Sequence, residues 1–351
     1  MDKDRVRAFT QEVFRDMAGA MTAGLAYVGV RTGLFRVMAG KGPLSVTEVV
    51  EASGLEPRYV EEWLQGMSCA GYLEYEPEEQ TYRLPEEHAY LLASDGTDHF
   101  AGGLYHMAPA LLGVAPRVAE AFEMGGGVPF EAYGEEGVRA LDLINRGNYE
   151  NRLVGYWLPK LPNVVQRLEQ GAWVLDVGCG VGRVPLALAR AFPRSRYLGL
   201  DLHAESVRAA QRSAEREGLS ERVRFVAGGI ESVDPEDGFD FITACDCVHD
   251  FARPLETLRE IRRLLKPDGT LLVVEPKVAD RLEDNRNPIA TMFYGFSVFH
   301  CMTQSLAAGG PGLGTCMGPA RTEALMREAG FGRFEILDIK SAVNLFYAVA
   351  I

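Results

Sequence analysis

Two hydrophobic rhythms run along the chain, and the change from one to the other falls shortly before Trp173. In the first part, apolar residues recur at helical spacing. Val6, Phe9, Val13 and Met17 predict a helix near the start, and a small-residue stretch from Ala18 to Val30 would let helices pack closely. Leu44 to Gly54 reads as a short helix closed by its glycine. Pro57 to Met67 reads as a second, with Tyr59, Val60, Trp63, Leu64 and Met67 as its apolar positions. Tyr72 to Tyr75, a polar turn from Pro77 to Gln80, and Thr81 to Leu84 then predict a hairpin, so the whole stretch reads as a helix-turn-helix with a two-stranded wing. From about Ser94 to Leu161 the pattern stays helical, with interruptions at Gly102-Gly103, Pro109, Pro116 and Gly125 to Gly127.

After Trp173 the apolar runs are short and continuous, as in strands covered on both faces. They lie at Val174 to Val177, Tyr197 to Leu200, Val223 to Val226, Phe239 to Thr243 and Leu271 to Val274. Helices are expected at Arg183 to Ala191, Ala204 to Glu217 and Leu255 to Leu265. Such alternation predicts a doubly wound sheet whose ligands bind beyond the carboxyl ends of its strands. Phe334 to Ile339 and Val343 to Ala350 are joined too tightly for a helical crossover and must pair antiparallel. The fold class expected is therefore α/β: a Rossmann-like doubly wound sheet with a terminal antiparallel strand pair, preceded by an α-rich winged-helix domain. The expected boundaries are 1–95 for the winged-helix part, 96–165 for a helical linker or lid, and 166–351 for the sheet domain, with an insertion at 277–318 shaping an acceptor pocket.

Composition narrows the function classes. With 351 residues, 47% of them hydrophobic and 24% charged, the chain can bury more than one ordinary core. Its 36 basic and 49 acidic residues leave a formal charge of −13, which argues against nucleic acid or anionic membranes as partners. No targeting pattern opens the sequence and no apolar run reaches membrane-spanning length, so a cytoplasmic location is expected. The six cysteines are scattered, which favours reduced thiols. Cys245 and Cys247 lack a second Cys/His pair at zinc-like spacing, so no metal is expected.

The densest chemistry sits where the first buried strand ends, in Trp173-Val-Leu-Asp-Val-Gly-Cys-Gly-Val-Gly182. Gly178, Gly180 and Gly182 permit positive φ and a close backbone approach, and with Asp176 and Cys179 they form a candidate cofactor loop. The G-x-G-x-G spacing differs from the G-x-G-x-x-G of nicotinamide and flavin folds. Asp201 closes the next strand, where an acid can accept both hydrogen bonds of a ribose diol. It also stands ahead of Ala204, where it could cap a helix, and both readings remain open. Gly229 and Ile230 follow the third strand, and Leu202 and Ile230 are candidates to pack on a flat base. After the fourth strand, Ala244 to Phe251 gathers Asp246, His249 and Asp250. Histidine is the natural candidate for a base near neutral pH.

This constellation resembles the class I S-adenosylmethionine-dependent methyltransferases. The resemblance rests on Asp176 with its three glycines, on Asp201 and on the terminal strand pair. It implies S-adenosylmethionine as cofactor, with Asp176, Gly178, Cys179, Gly180, Gly182, Asp201, Leu202, Gly229, Ile230 and Asp246 around it. The family often has an acid near the adenine amino group. Here Gly228-Gly229-Ile230 stands in that place and the nearest acids are Glu231 and Asp234. The His249-Asp250-Phe251 stretch resembles that of small-molecule O-methyltransferases, in which the histidine is the general base, and this implies catalytic roles for His249 and Asp250. The block His300-Cys-Met-x-x-Ser-Leu-x-x-Gly-Gly-x-Gly-Leu-Gly314 is similar to that of a bacterial group of winged-helix methyltransferases.

A small-molecule acceptor is therefore expected, with oxygen or sulfur favoured, and Tyr105, His106, Tyr294, His300 and Met302 are candidate contacts. In the family the winged-helix part pairs two subunits, which implies a homodimer. The second helix, Glu56-Pro-Arg-Tyr-Val-Glu-Glu-Trp63, is too acidic to read phosphates. Two alternatives differ in class: a winged-helix regulator that senses S-adenosylmethionine, and an NAD-dependent oxidoreductase.

Overall fold

The computed structural model describes residues 1–233 and 238–351. Asp234 lies outside the described residues. The chain forms two compact units. One comprises 1–112 and 135–147, the other 113–134 and 148–351.

In the first unit, helix α1 (Lys3–Thr32) is capped by Asp2 and stopped by Gly33 in the left-handed conformation. Helices α2 (Leu34–Met38), α3 (Val46–Ser53) and α4 (Pro57–Cys69) follow. Ser45 and Glu48 close a reciprocal capping box at the start of α3, satisfying amides that the first turn leaves without partners. Strands β1 (Glu74–Glu76) and β2 (Thr81–Arg83) pair antiparallel as the wing, with Tyr75 opposite Tyr82. The core joins Ala26, Phe35, Met38, Val49, Trp63, Leu64 and Met67. Tyr59 departs from expectation and is exposed. The buried stripe of α4 is Val60, Trp63, Leu64 and Met67, and position 59 falls beside that arc.

Next come α5 (Glu86–Leu92) and α6 (Gly102–Gly113). Pro109 does not interrupt α6 as its residue type suggested. It lies inside the helix, between the buried Met107 and Leu111, and packing outweighs the one amide donor that proline lacks. Helices α7 (Ala115–Met124) and α8 (Gly134–Asn151) are separated at the predicted glycine run.

The second unit is built on one seven-stranded sheet. After α9 (Pro162–Gln170) the chain alternates β3 (Trp173–Val177), α10 (Arg183–Ala191), β4 (Arg196–Asp201), α11 (Ala204–Arg216) and β5 (Val223–Ala227). It then crosses to β6 (Phe239–Cys245), α12 (Pro254–Leu264) and β7 (Leu265–Pro276). Strand β7 begins earlier than the apolar run from Leu271 suggested. The insertion carries α13 (Pro288–Phe296) and α14 (Met302–Ala307), joined by a π-helical turn at Ser297–Cys301. Helix α15 (Pro319–Glu328) and strands β8 (Arg333–Ile336) and β9 (Asn344–Ala350) end the chain.

The strand order is β5-β4-β3-β6-β7-β9-β8. The first five strands are parallel, whereas β9 runs antiparallel to both β7 and β8. Side-chain alternation divides the core between the two faces. Val174, Leu272 and Val274 lie in one apolar cluster, Leu175, Leu271 and Val273 in another. Burying each such side chain is worth about 1.5–3 kcal/mol. Strand order reverses between β3 and β6, and this reversal opens the crevice in which ligands of such sheets bind.

Candidate active site

On one side of the crevice the glycine loop leaves β3. Gly178, Gly180 and Gly182 all have positive φ. A Cβ on Gly178 would meet Cys247, and one on Gly182 would meet Phe225 and Ala210. Gly180 differs, because among the described residues no neighbour lies within 4 Å of where its Cβ would stand, so its backbone faces open space. The Gly180 amide donates to Asp201 Oδ2 at 2.8 Å and the His203 amide to Asp201 Oδ1 at 2.8 Å. The cap of α11 is His203, whose ring accepts from the Ser206 amide, so the N-cap reading of Asp201 is not needed. Each Asp201 oxygen retains a lone pair beyond its amide partner. Burial pushes the Asp201 carboxyl up, and the two amides pull against it.

Asp176 lies deep beneath the loop, bonded to Thr243 Oγ1 at 2.6 Å. Burial raises it to about 7, against the Thr243 hydrogen bond. Cys179 is buried, with burial again raising its thiol. Leu202 is exposed, Ile230 is buried, and Gly229 stands against the Glu231 carboxylate.

Across the crevice, Asp246 follows β6 with a φ of 51°, a left-handed conformation unusual outside glycine. Its carboxylate accepts from Asn344 Nδ2 at 2.8 Å and from Tyr149 Oη at 3.2 Å. Burial and the Glu275 carboxylate raise Asp246 to about 7, opposed by His249. Such strain clusters at sites whose surroundings over-determine it.

His249 is buried on a short turn after β6, and its Nδ1 meets Glu275 Oε2 at 2.5 Å. The other Glu275 oxygen accepts from the Val248 amide at 3.0 Å, which fixes the carboxylate and, through it, the ring. His249 Nε2 lies 3.4 Å from Asp250 Oδ1. Burial opposes a charged imidazole, yet the Glu275 and Asp250 carboxylates outweigh it and raise His249 well above its ordinary value. With Nδ1 committed to Glu275, Nε2 is the nitrogen available for proton exchange. Sequence reasoning missed Glu275 and Tyr149 as partners here. Glu275 did leave a signal, as the one charged residue at the end of the apolar run from Leu271 to Val274.

From the insertion, His300 is buried against the rings of Tyr133 and Phe130. Tyr133 donates to the Phe299 carbonyl at 2.5 Å. Burial lowers His300, and its Nε2 has no hydrogen-bond partner among the described residues. Met302 is partly buried against Gly312 and Gly314, while Tyr294 is exposed. Tyr105 and His106 belong to the first unit. There Tyr105 shares a 2.6 Å hydrogen bond with Tyr72, and His106 is buried against Tyr27.

With a glycine loop, an acid at the end of β4 and a reversed terminal strand pair in place, residues 168–307 match a family model described as a methyltransferase domain. Residues 20–94 match an Rv2258c-like winged helix-turn-helix domain. The chain is similar to methyltransferase phqN of Penicillium fellutanum, 28% identical over 173 residues that make up 49% of each chain. It thus spans about half the length, or less, of the curated relatives it matches.

Among solved structures, human N-acetylserotonin methyltransferase in complex with SAM gives a TM-score of 0.69 at 20% identity, with 97% of each chain covered. The mitomycin 7-O-methyltransferase MmcR gives 0.68 at 19%, covering 99% of this chain and 100% of that one. At such identities the likeness is one of fold. Residues 168–307 therefore carry a methyltransferase domain, preceded by a winged-helix domain, on a fold shared with solved methyltransferases.

Proposed function

We propose that this chain transfers the methyl group of S-adenosylmethionine to a small acceptor through oxygen or sulfur, with His249 as the base. The observation that carries the reading is the Glu275–His249 pair, 2.5 Å apart, beside an open glycine loop. The residues fit the cofactor: Gly180 leaves room at the backbone, and Asp201 keeps acceptor capacity for a diol. Gly178, Cys179, Gly182 and Asp176 shape the loop, Asp246 faces it from the far side of the crevice, and Leu202, Gly229 and Ile230 take the flat base. When bound, the cofactor supplies a methyl group already activated by positive charge, so alignment and exclusion of water are the protein's main tasks.

The neutral form of His249 takes the proton of the acceptor hydroxyl or thiol at Nε2, while Glu275 holds Nδ1–H and balances the imidazolium that results. The same carboxylates that raise His249 make that neutral form the one populated toward higher pH. Asp250 orients the same ring from the Nε2 side. His300 and Met302 contact the acceptor, and Tyr294 is kept as a further candidate. His249→Ala should lower turnover by about 10²-fold or more while S-adenosylmethionine affinity changes little. Unchanged turnover with the true acceptor would remove the base assignment.

The winged-helix unit is proposed as a pairing module for a homodimer. Val6, Phe9, Val13, Phe14, Met17 and Met21 leave a run of α1 apolar and exposed, as a surface meant for a second copy would be. A DNA-binding regulator is disfavoured by α4, where Arg58 pairs with Glu61 and Glu62, and by a wing bearing Glu74, Glu76, Glu78 and Glu79. Sedimentation should give twice the chain mass, and a gel shift over random duplex at low salt should show no binding.

A further inference from the structure

Spacing along the sequence offers no metal motif, yet the fold gathers three metal-ligating side chains of different chemistry. His249 and Asp250 come from the turn after β6, and Cys301 from the π-helical turn of the insertion. Their ligand atoms all lie within 4.8 Å of one another. A tetrahedral ion with ligands at about 2.0–2.3 Å holds ligand atoms roughly 3.3–3.8 Å apart. His249 Nε2 and Asp250 Oδ1 already stand at 3.4 Å, so only a modest contraction toward Cys301 Sγ is required.

Two further features point to a ligand there. Asp250 Oδ1 is buried and, among the described residues, has no hydrogen-bond partner; its charged neighbour is His249 Nε2 at 3.4 Å, the other atom that a shared ion would bind. Glu275, bound to His249 Nδ1, supplies the carboxylate partner that metal-ligating histidines ordinarily have. It fixes the ring so that Nε2 faces the other two ligands.

We infer that His249 Nε2, Asp250 Oδ1 and Cys301 Sγ form a site for one zinc-class divalent cation. The mixed nitrogen, oxygen and sulfur set suits zinc or cobalt and is poor for magnesium or calcium. Three protein ligands leave a tetrahedral ion one open position for water or an acceptor atom. The ion and a proton compete for the same nitrogen, so a chain holding the ion has no free base at His249. That consequence rests on the proposed methyl transfer, but the site itself does not.

The test is titration of the full-length, chelator-treated, reduced protein with Co²⁺, followed by Zn²⁺. One Co²⁺ per chain is expected, with strong visible bands of a tetrahedral ion and a near-ultraviolet thiolate-to-cobalt band, both lost on adding Zn²⁺. Cys301→Ser should abolish the thiolate band and weaken binding at least about ten-fold, whereas Cys247→Ser should leave it in place. Should Cys301→Ser fail to fold by circular dichroism, Asp250→Asn is read instead, with the same weakening expected. Absence of stoichiometric Co²⁺ binding, a thiolate band that survives Cys301→Ser, or affinity unchanged in Asp250→Asn overturns the proposal. Because the readout is binding and not turnover, such a failure leaves the methyltransferase reading intact.

Discussion

The two sides of the crevice are built from different materials. The side proposed for the donor, from β3 through Asp201, is mostly backbone: glycines in positive φ, strand ends, and amides fixed on one carboxylate. The side proposed for the acceptor is mostly side chains, with His249, Asp250 and Cys301 brought together from a turn after β6 and from an insertion that contains a π-helical turn and also carries His300. A backbone site can hold the same portion of a cofactor in many proteins. A side-chain site can change its acceptor with few substitutions, because the sheet does not depend on it.

If that division holds, substitutions on the acceptor side should affect turnover, and those on the donor side should affect affinity. The largest effect is expected from Glu275→Gln, which keeps the shape but removes the charge that balances His249. Turnover should fall by about 10²-fold or more with S-adenosylmethionine affinity nearly unchanged, as steady-state kinetics beside calorimetry would show. Next comes Asp201→Ala on the donor side. Loss of hydrogen bonds to a charged group should weaken cofactor binding by about 10–100-fold while leaving turnover at saturation within a few-fold. Parallel losses of turnover and affinity in both variants would break the division.

Smaller effects sharpen it. His300→Phe keeps the ring packing against Tyr133 and Phe130 but deletes Nε2, so KM for the acceptor should rise by about ten-fold with the cofactor affinity unaffected. The smallest effect concerns stability. Burial raises Asp176 to about 7 from an ordinary 3.8, so the folded state holds a proton there that the unfolded state has released. Its contribution is fully present below pH 4 and is lost as pH rises through 7. Asp176→Asn should therefore flatten that part of the stability profile and gain about 1–2 kcal/mol at pH 8 in denaturant unfolding.

The same contrast explains what the sequence could show. Gly178, Gly180 and Gly182 are needed by a local turn, and the strands around them are short apolar runs, so the glycine turn, the doubly wound sheet and the strand pair could all be read along the chain. Glu275 was visible as a charge ending a buried strand, but its pairing with His249 depends on β6 lying beside β7, which spacing does not state. The grouping of Asp250 with Cys301 depends on how the insertion folds back over the sheet edge, and its π-turn has no period to detect. Tyr59 and Pro109 show the limits of local rules: one falls outside a helix stripe, and the other is carried through a helix by the packing around it.

The central claim is that the donor site takes S-adenosylmethionine, and calorimetric titration of the full-length wild-type chain tests it most directly. One site per chain, taking either S-adenosylmethionine or S-adenosylhomocysteine, is expected, with no heat from NAD. Binding of NAD with no binding of S-adenosylmethionine would contradict it.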